Sequence, residues 1–325
     1  MHLKSTRYWL RLSGIFMLFF VAVASLFVGV QNLSIFDLFS LTNVQRLVLM
    51  TTRIPRTISL ILSGSTLAIA GLVMQQLTQN KFVSPTTAGT LSSARFGVIM
   101  SMILLSSGTY FQKIIFAFLF STLGTLIFVF SLRTLKHNKS IMIPLIGLMF
   151  GNVINSIGSY FALRYELVQN VSAWLQGNFS MITSDNYTLI FLAFPVLIFI
   201  YMFAHYFTVM GLGKEMATQL GISYNTIEFV GILIVALGTT SVLLTVGSMP
   251  FVGIIVPNLI SLKAGDNFKK ILFPTALFGA LFTILCDIFA RVIIAPYELP
   301  ISVVVGVIGS ALFLFLILRG ESNAQ

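Results

Sequence analysis

The sequence predicts an all-α polytopic membrane protein with about ten transmembrane helices, and three observations predict it. Of the 325 residues, 57% are hydrophobic and only 9% are charged, whereas a soluble domain carries about 25% charged residues. So little charge cannot cover a water-facing surface of this size. The charged residues also fall in short clusters, separated by apolar stretches of the ~20 residues that a spanning helix needs. Finally, prolines break the one uncharged stretch that is too long for a single helix.

Charged residues mark the edges of each span in turn. Arg11 to Asp37 bounds the first. Lys4, Arg7 and Arg11 followed by Ala22-Val23-Ala24 resemble a secretory signal, but the apolar run continues through Val30. That is too long for a signal h-region, so an uncleaved helix is expected over 11–31. Arg56 to Lys81 holds the second span, and Arg95 to Lys113 the third, which must extend back past Arg95 toward Thr86. Lys113 to Arg133, Lys139 to Arg164 and Asp185 to Lys214 hold one each. Glu228 to Lys263 is too long, and Pro250 and Pro257 interrupt it. Because proline fits poorly inside a helix, this region divides into a full span near 229–247 and a short, broken one near 251–262. A further span covers 271–293, apolar except for Asp287 and Arg291, and Glu298 to Arg319 holds the last. Residues 1–325 thus read as one transmembrane domain, with its longest polar connections near 32–52, 164–187 and 208–227.

Loop charge gives the orientation. With the N-terminus inside, twelve basic residues, Lys136 and Lys139 among them, fall on inner segments and six on outer ones. The excess of Lys and Arg on cytoplasmic loops then places both termini in the cytoplasm. The net charge of +10 is spread over these clusters without a basic aromatic face, which suits membrane lipid headgroups rather than nucleic acid. The single cysteine, Cys286, excludes an internal disulfide. There is no Walker A sequence and no His-Glu-x-x-His, and His2, His137 and His205 fall in separate regions, so neither nucleotide binding of that kind nor a zinc enzyme is indicated. Asp287 is the only carboxylate clearly within a span, with Arg291 beside it. That leaves little for the proton coupling of a secondary transporter.

Arg46, Arg53, Arg56 and Arg291 lie on the outer face, where positive charge is normally depleted. They either snorkel toward headgroups or present planar guanidinium forks to the carboxylates of an acidic partner. Asp287 and Arg291 are four apart and share a helix face, so an ion pair at the outer helix end competes with docking for Arg291. On the inner side, Gly211 to Tyr224 surrounds a short helical pattern with small and polar residues between Gly213 and Gly221. A compact helix–turn–helix is expected there.

Several ordered blocks resemble the FecCD family of ABC permeases, which contains the vitamin B12 and iron–siderophore permeases. They are Arg53-Ile-Pro-Arg56, Gly64 through Gly71-Leu-Val-Met-Gln75-Gln76, Asn80 and Pro85-Thr-Thr-Ala-Gly89. Gly247-Ser-Met-Pro-Phe251-Val-Gly-Ile-Ile-Val-Pro257-Asn258, Asp287-Ile-Phe-Ala-Arg291 and Glu298-Leu-Pro300 continue the series. The likeness covers about residues 50–320. It implies the BtuC-like fold of type II importers, in the bacterial cytoplasmic membrane. It also implies a dimer with a second permease chain, identical or related, two ATPase subunits that bind the ATP and Mg, and an extracytoplasmic siderophore-binding protein. No cofactor is implied for this chain. Arg53, Arg56 and Arg291 match arginines that meet acidic residues of the binding protein. The loop at about 208–226 matches the coupling loop that enters a groove of the ATPase, with Gly213, Glu215, Ala217 and Gly221 at its key positions.

The phrase from Gln75 to Gly89 resembles the subgroup that carries catecholate siderophores, and makes Gln75 and Asn80 candidates for the pathway. Many relatives have Asn-Pro at Asn80-Lys81 and Pro-His at Pro257-Asn258. Arg95 departs furthest, since relatives commonly have small residues there. A charge at the centre of a spanning helix costs roughly 2.5–3.5 kcal/mol on insertion scales. Arg95 therefore either pairs within the bundle or snorkels, or else it lines the pathway and attracts an anionic cargo.

Overall fold

The computed structural model of the chain describes residues 2–29, 42–105, 109–134 and 142–322. Asp37, His137, Lys136, Lys139, the end of the helix expected over 11–31 and the tail 323–325 lie outside them. Apart from one isolated bridge between Gln176 and Ser248, regular structure among the described residues is helical.

α1 (His2–Phe27) is followed by α2 (Asn43–Val48), which runs through a wider-turned stretch, Leu49–Arg53, into α3 (Ile54–Thr78). Next come α4 (Thr90–Leu104), α5 (Tyr110–Thr134), α6 (Met142–Arg164) and the short α7 (Val168–Leu175). A 3-10 stretch, Tyr187–Leu192, leads into α8 (Ala193–Met202) and α9 (Ala204–Met210). The chain continues through α10 (Lys214–Gln219), α11 (Tyr224–Val246), α12 (Val252–Ala264), α13 (Phe268–Val292) and α14 (Ile301–Ser322). Five of the described helical segments are long and apolar enough to cross a membrane, and the stretch 187–210, bent by 64°, makes a sixth. Shorter apolar helices in α1, α4, α12 and α14 fall where the remaining expected spans lie.

Three local features differ from the sequence reading. Residues 43–53, expected as part of a loop, are helical, so that one 36-residue helix runs from Asn43 to Thr78. A reciprocal cap between Thr42 and Gln45 starts it, and the hydroxyls of Thr51 and Thr52 donate back to the carbonyls of Leu47 and Val48 at 2.8 and 2.7 Å. α4 begins at Thr90, after Gly89 at φ 75°, because the buried segment around Val83, Ser84 and Ala88 folds back into the bundle. The long uncharged region breaks at Gly247–Phe251, between the spans expected near 229–247 and 251–262, with both named residues at positive φ, 90° and 65°; the difference is that Pro257, expected to interrupt the region as well, lies inside α12 without ending it.

α3 is the central helix, with 83% of its most apolar window buried. It crosses α13 where Gly64 meets Gly279, and α12 where Gly71 meets the Gly253 carbonyl. A Cβ at either α3 glycine would overlap backbone of the facing helix. Membrane helices gain little from apolar contact with each other, and small residues let their backbones approach closely. The Gly253 carbonyl is the one that Pro257 cannot serve as donor, and the bare face of Gly71 admits it. Polar tethers reinforce these crossings: the Thr283 hydroxyl donates to the Leu60 carbonyl at 2.9 Å and Ser65 to that of Ala276 at 2.9 Å. Gly71→Val is accordingly expected to cost about 3 kcal/mol by overpacking. The check is membrane abundance and the detergent melting midpoint, and a variant equal to the parent in both would refute the close crossing.

α6 is the opposite case, with only 17% of its window buried. Its exposed face carries Asn152, Ser156 and Ser159, a polar stripe at helical spacing.

Candidate functional site

Polar chemistry gathers at both ends of the bundle and at one place between them. At the first end, the close of α1, the start of α3 and the close of α13 bring Arg53, Arg56 and Arg291 around one cavity of about 190 Å³. Asp287 is completely buried beside Arg56 and Arg291. Arg56 donates to Asp287 Oδ1 through Nη2 at 2.8 Å and Nε at 3.2 Å, and to Glu298 Oε2 through Nη1 at 2.8 Å. Arg291 Nη2 approaches Asp287 Oδ2 at 2.7 Å as an ion contact. Its Nε donates to the Asp287 backbone carbonyl at 3.4 Å, and its other N–H groups reach the close of α1: Nη1 to the carbonyls of Ser25 and Val28 at 3.0 and 2.7 Å, and Nη2 to the Ser25 hydroxyl at 2.6 Å. Arg53 Nη1 donates to the Leu26 carbonyl at 2.5 Å.

The last carbonyls of a helix lack intrahelical partners and carry partial negative charge, so two arginines cap α1 while one carboxylate holds two arginines. Within this cluster three cations face two carboxylates, which leaves one formal positive charge. The expected Asp287–Arg291 pair is present. The three arginines are brought together, with Arg53 and Arg291 buried at 7% and 6% exposure and Arg56 partly buried. Sequence reasoning missed Glu298 as a partner of Arg56. Arg46, on α2, is the arginine of the expected outer set that stands exposed.

At the opposite end, Gly213 at φ 100° opens α10 and Gly221 at φ 79° closes it, conformations that suit glycine. The expected compact turn is present. Ala217 is fully buried and seats α10, while Glu215 is exposed. Leu212, Met216 and Leu220, spaced four apart, are 59%, 53% and 61% exposed. α10 and the turns on either side of it therefore present three exposed apolar side chains that the described residues of this chain leave uncovered. Beside α10 lies a cleft of about 610 Å³ lined by Gln79, Lys214, Glu215, Tyr224 and Glu228. Glu228, expected to bound a span, lies inside α11 and is buried.

Gln75 and Asn80 line a neighbouring polar cavity of about 420 Å³ with Gln76, Gln79 and Asn267. Asn80 also stabilises its own turn, its Oδ1 accepting from the Phe82 N–H at 2.9 Å. Asn258 Nδ2 donates to the Lys81 carbonyl at 2.8 Å, so the two positions at which the sequence departs from many relatives meet here.

Arg95 lies between the ends. Phe96 next to it packs edge-on against Phe120 of α5, centroids 5.3 Å apart, and the preceding turn is tied to α6 by Asn155 Nδ2 donating to Ser92 Oγ at 3.0 Å. Phe120 and Asn155 are both near mid-height of their helices, so Arg95 is as well. It is half-buried on the wall of a cavity of about 280 Å³. Among the described residues, no His/Cys/Asp/Glu cluster has the arrangement to hold a metal ion.

In fold, the bundle matches a solved metal-chelate type ABC transporter in an inward-facing conformation, with a TM-score of 0.81 at 25% identity over 95% of this chain and 99% of that one. The class is thus the membrane-spanning permease of an ABC transporter. Within that class the chain belongs to the FecCD transport family, which matches residues 17–319. It is 45% identical over 308 residues to the petrobactin import system permease protein YclN of Bacillus subtilis, covering 95% of this chain and 98% of that one. It is 36% identical over 302 residues to the ferric-anguibactin transport system permease protein FatD of Vibrio anguillarum, covering 93% and 96%. The chain is a transport component rather than an enzyme.

Proposed function

We propose that this chain is the permease subunit of an ATP-driven importer that carries an iron–siderophore complex, a ferric catecholate, across the bacterial cytoplasmic membrane. The observation that carries the reading is end-to-end similarity to two permeases named for the siderophores petrobactin and anguibactin. The arginine end faces outward and the α10 end faces the cytoplasm, with both termini on the α10 side. An extracytoplasmic siderophore-binding protein docks by placing acidic side chains at Arg53, Arg56 and Arg291, drawn by the unbalanced positive charge there. Two ATPase subunits, which bind the ATP and Mg, take the loop of Gly213, Glu215, Ala217 and Gly221. A second permease chain, identical or related, covers the exposed side of α6. Gln75 and Asn80 belong to the inner mouth of the path.

The geometry supports this division of labour. The arginines keep α1, α3 and α13 together while leaving a charged rim, and the exposed Leu212, Met216 and Leu220 suit an apolar groove on a soluble partner. Ala217 seats the loop, so contact with the ATPase falls to its exposed neighbours. A proton-coupled carrier is disfavoured because Asp287 is clamped between two arginines.

Uptake of radioiron in a strain lacking this chain, with and without complementation, tests the reading with ferric catecholate, ferric hydroxamate, ferric citrate and haem as cargoes and labelled vitamin B12 as an iron-free control. Loss of catecholate uptake alone is expected, with recovery on complementation. Selective loss of another cargo would replace the catecholate. No loss for any cargo, even after deletion of related permeases, would overturn the reading.

A further inference from the structure

Arg95 is a cation at mid-height of a membrane bundle that, among the described residues, makes no ion pair or hydrogen bond. A group this costly to bury is placed toward water or a counter-charge, not lipid. Its surroundings point the same way. The cavity it lines also takes Ser92, Asn152, Asn155 and Ser248, all neutral polar groups and none a carboxylate. Asn152 is both exposed and part of that lining, so the cavity opens on the side of α6 that carries the stripe continued by Ser156 and Ser159. Hydrocarbon offers no partner to such groups. Ser248 belongs to the non-helical break between α11 and α12, and irregular backbone at membrane depth is tolerated where it is buried in protein or lines a water-filled cavity. Two independent features, a polar helix face and a helix break, therefore converge on one unpaired guanidinium.

We propose that Arg95, with Asn152, Asn155 and Ser92, forms an anion-binding station halfway along the translocation path, which takes catecholate or carboxylate oxygens of the ferric chelate as it passes. The guanidinium supplies charge and a planar donor fork that suits paired oxygens. The two asparagines and the serine supply neutral donors that bind without trapping. The station rests on the reading of this chain as a permease for anionic iron chelates. It goes further by naming the contact at mid-membrane and by explaining why a charge is tolerated there.

A charge-rescue experiment tests it in cells that carry the complete importer, with ferric petrobactin as probe. Cys286 is buried and is first replaced by Ala, so that Arg95→Cys provides the only thiol of the chain. Arg95→Cys is expected to lower uptake about tenfold at sub-saturating probe, the scale of losing one charged partner in a partly dry site. Aminoethyl methanethiosulfonate, which installs an ammonium group, restores most of it, and the sulfonate analogue does not. Recovery after synthesis shows that the chain was folded throughout. Should Arg95→Cys fail to accumulate, Arg95→Lys and Arg95→Gln replace it, with Lys keeping at least half of uptake and Gln falling about tenfold. Equal uptake by parent and Arg95→Cys, equal effects of the two reagents, or equal uptake by the Lys and Gln variants overturns the station and leaves the permease reading intact. Failure of the Arg95 parent to take up any ferric catecholate would instead remove the reading on which it rests.

Discussion

Asp287→Ala is expected to cost about 3–5 kcal/mol, the range for breaking a buried ion pair by removing one partner, and to strip most folded chain from the membrane. Asp287 has no exposure and holds Arg56 at 2.8 Å and Arg291 at 2.7 Å. Without it, two guanidinium groups share a confined space with Glu298, which reaches only Arg56 among them. Arg291 would stay bonded to the end of α1, so the repulsion falls on the junction of α3 and α13. Asp287→Asn keeps the shape and loses the charge, and is expected to fall between parent and Ala. Membrane abundance and the melting midpoint of the detergent-solubilised chain measure the loss. A parent-like midpoint for Asp287→Ala would mean that the arginines find other partners and that the cluster does not hold the helix ends.

The second large effect is expected at the opposite end. Met216→Asp combined with Leu220→Asp should reduce uptake at least about 30-fold, the scale of losing a central interface anchor of 2 kcal/mol or more, while leaving chain abundance unchanged. Both residues are exposed in this chain, so charge there does not disturb its own packing, but it would meet an apolar groove on the ATPase. Ala217→Leu makes the contrast: Ala217 is fully buried, and a larger side chain there lifts α10 off the bundle. Co-purification of the ATPase with tagged chain reads both. Retention of the ATPase by the double variant would show that these exposed side chains are not the contact.

The span plan was legible because charge is expensive in hydrocarbon, so a sequence for the membrane must confine charge to the span edges. The exceptions were legible as exceptions: Asp287, Arg291 and Arg95 stood out as charges within or near spans. The i,i+4 spacing also disclosed the pair of Asp287 and Arg291, since a helix face is a local property. Long-range convergence was not disclosed. Arg56 meets Asp287 and Glu298 across 231 and 242 residues of sequence, and nothing local in Arg53-Ile-Pro-Arg56 tells whether its guanidiniums face a partner or cap α1. Residues 43–53 read as loop because they are polar and basic, yet back-bonding Thr51 and Thr52 keep them helical. Pro257 read as a break, but α3 presents glycine to the carbonyl that this proline leaves without a donor. Glu228 read as a span edge, and its burial depends on how α11 packs beside α10. At Arg95 the sequence left pairing and pathway open, and only the placement of Asn152, Asn155 and Ser248 around it favours the pathway.

The most direct measurement of the central claim uses liposomes that contain the permease pair and its ATPase, with binding protein carrying radioiron-labelled petrobactin outside. The account predicts accumulation only with ATP and Mg on the ATPase side, unchanged by a protonophore. Accumulation driven by a proton gradient without ATP, or abolished by the protonophore while ATP is present, would contradict it.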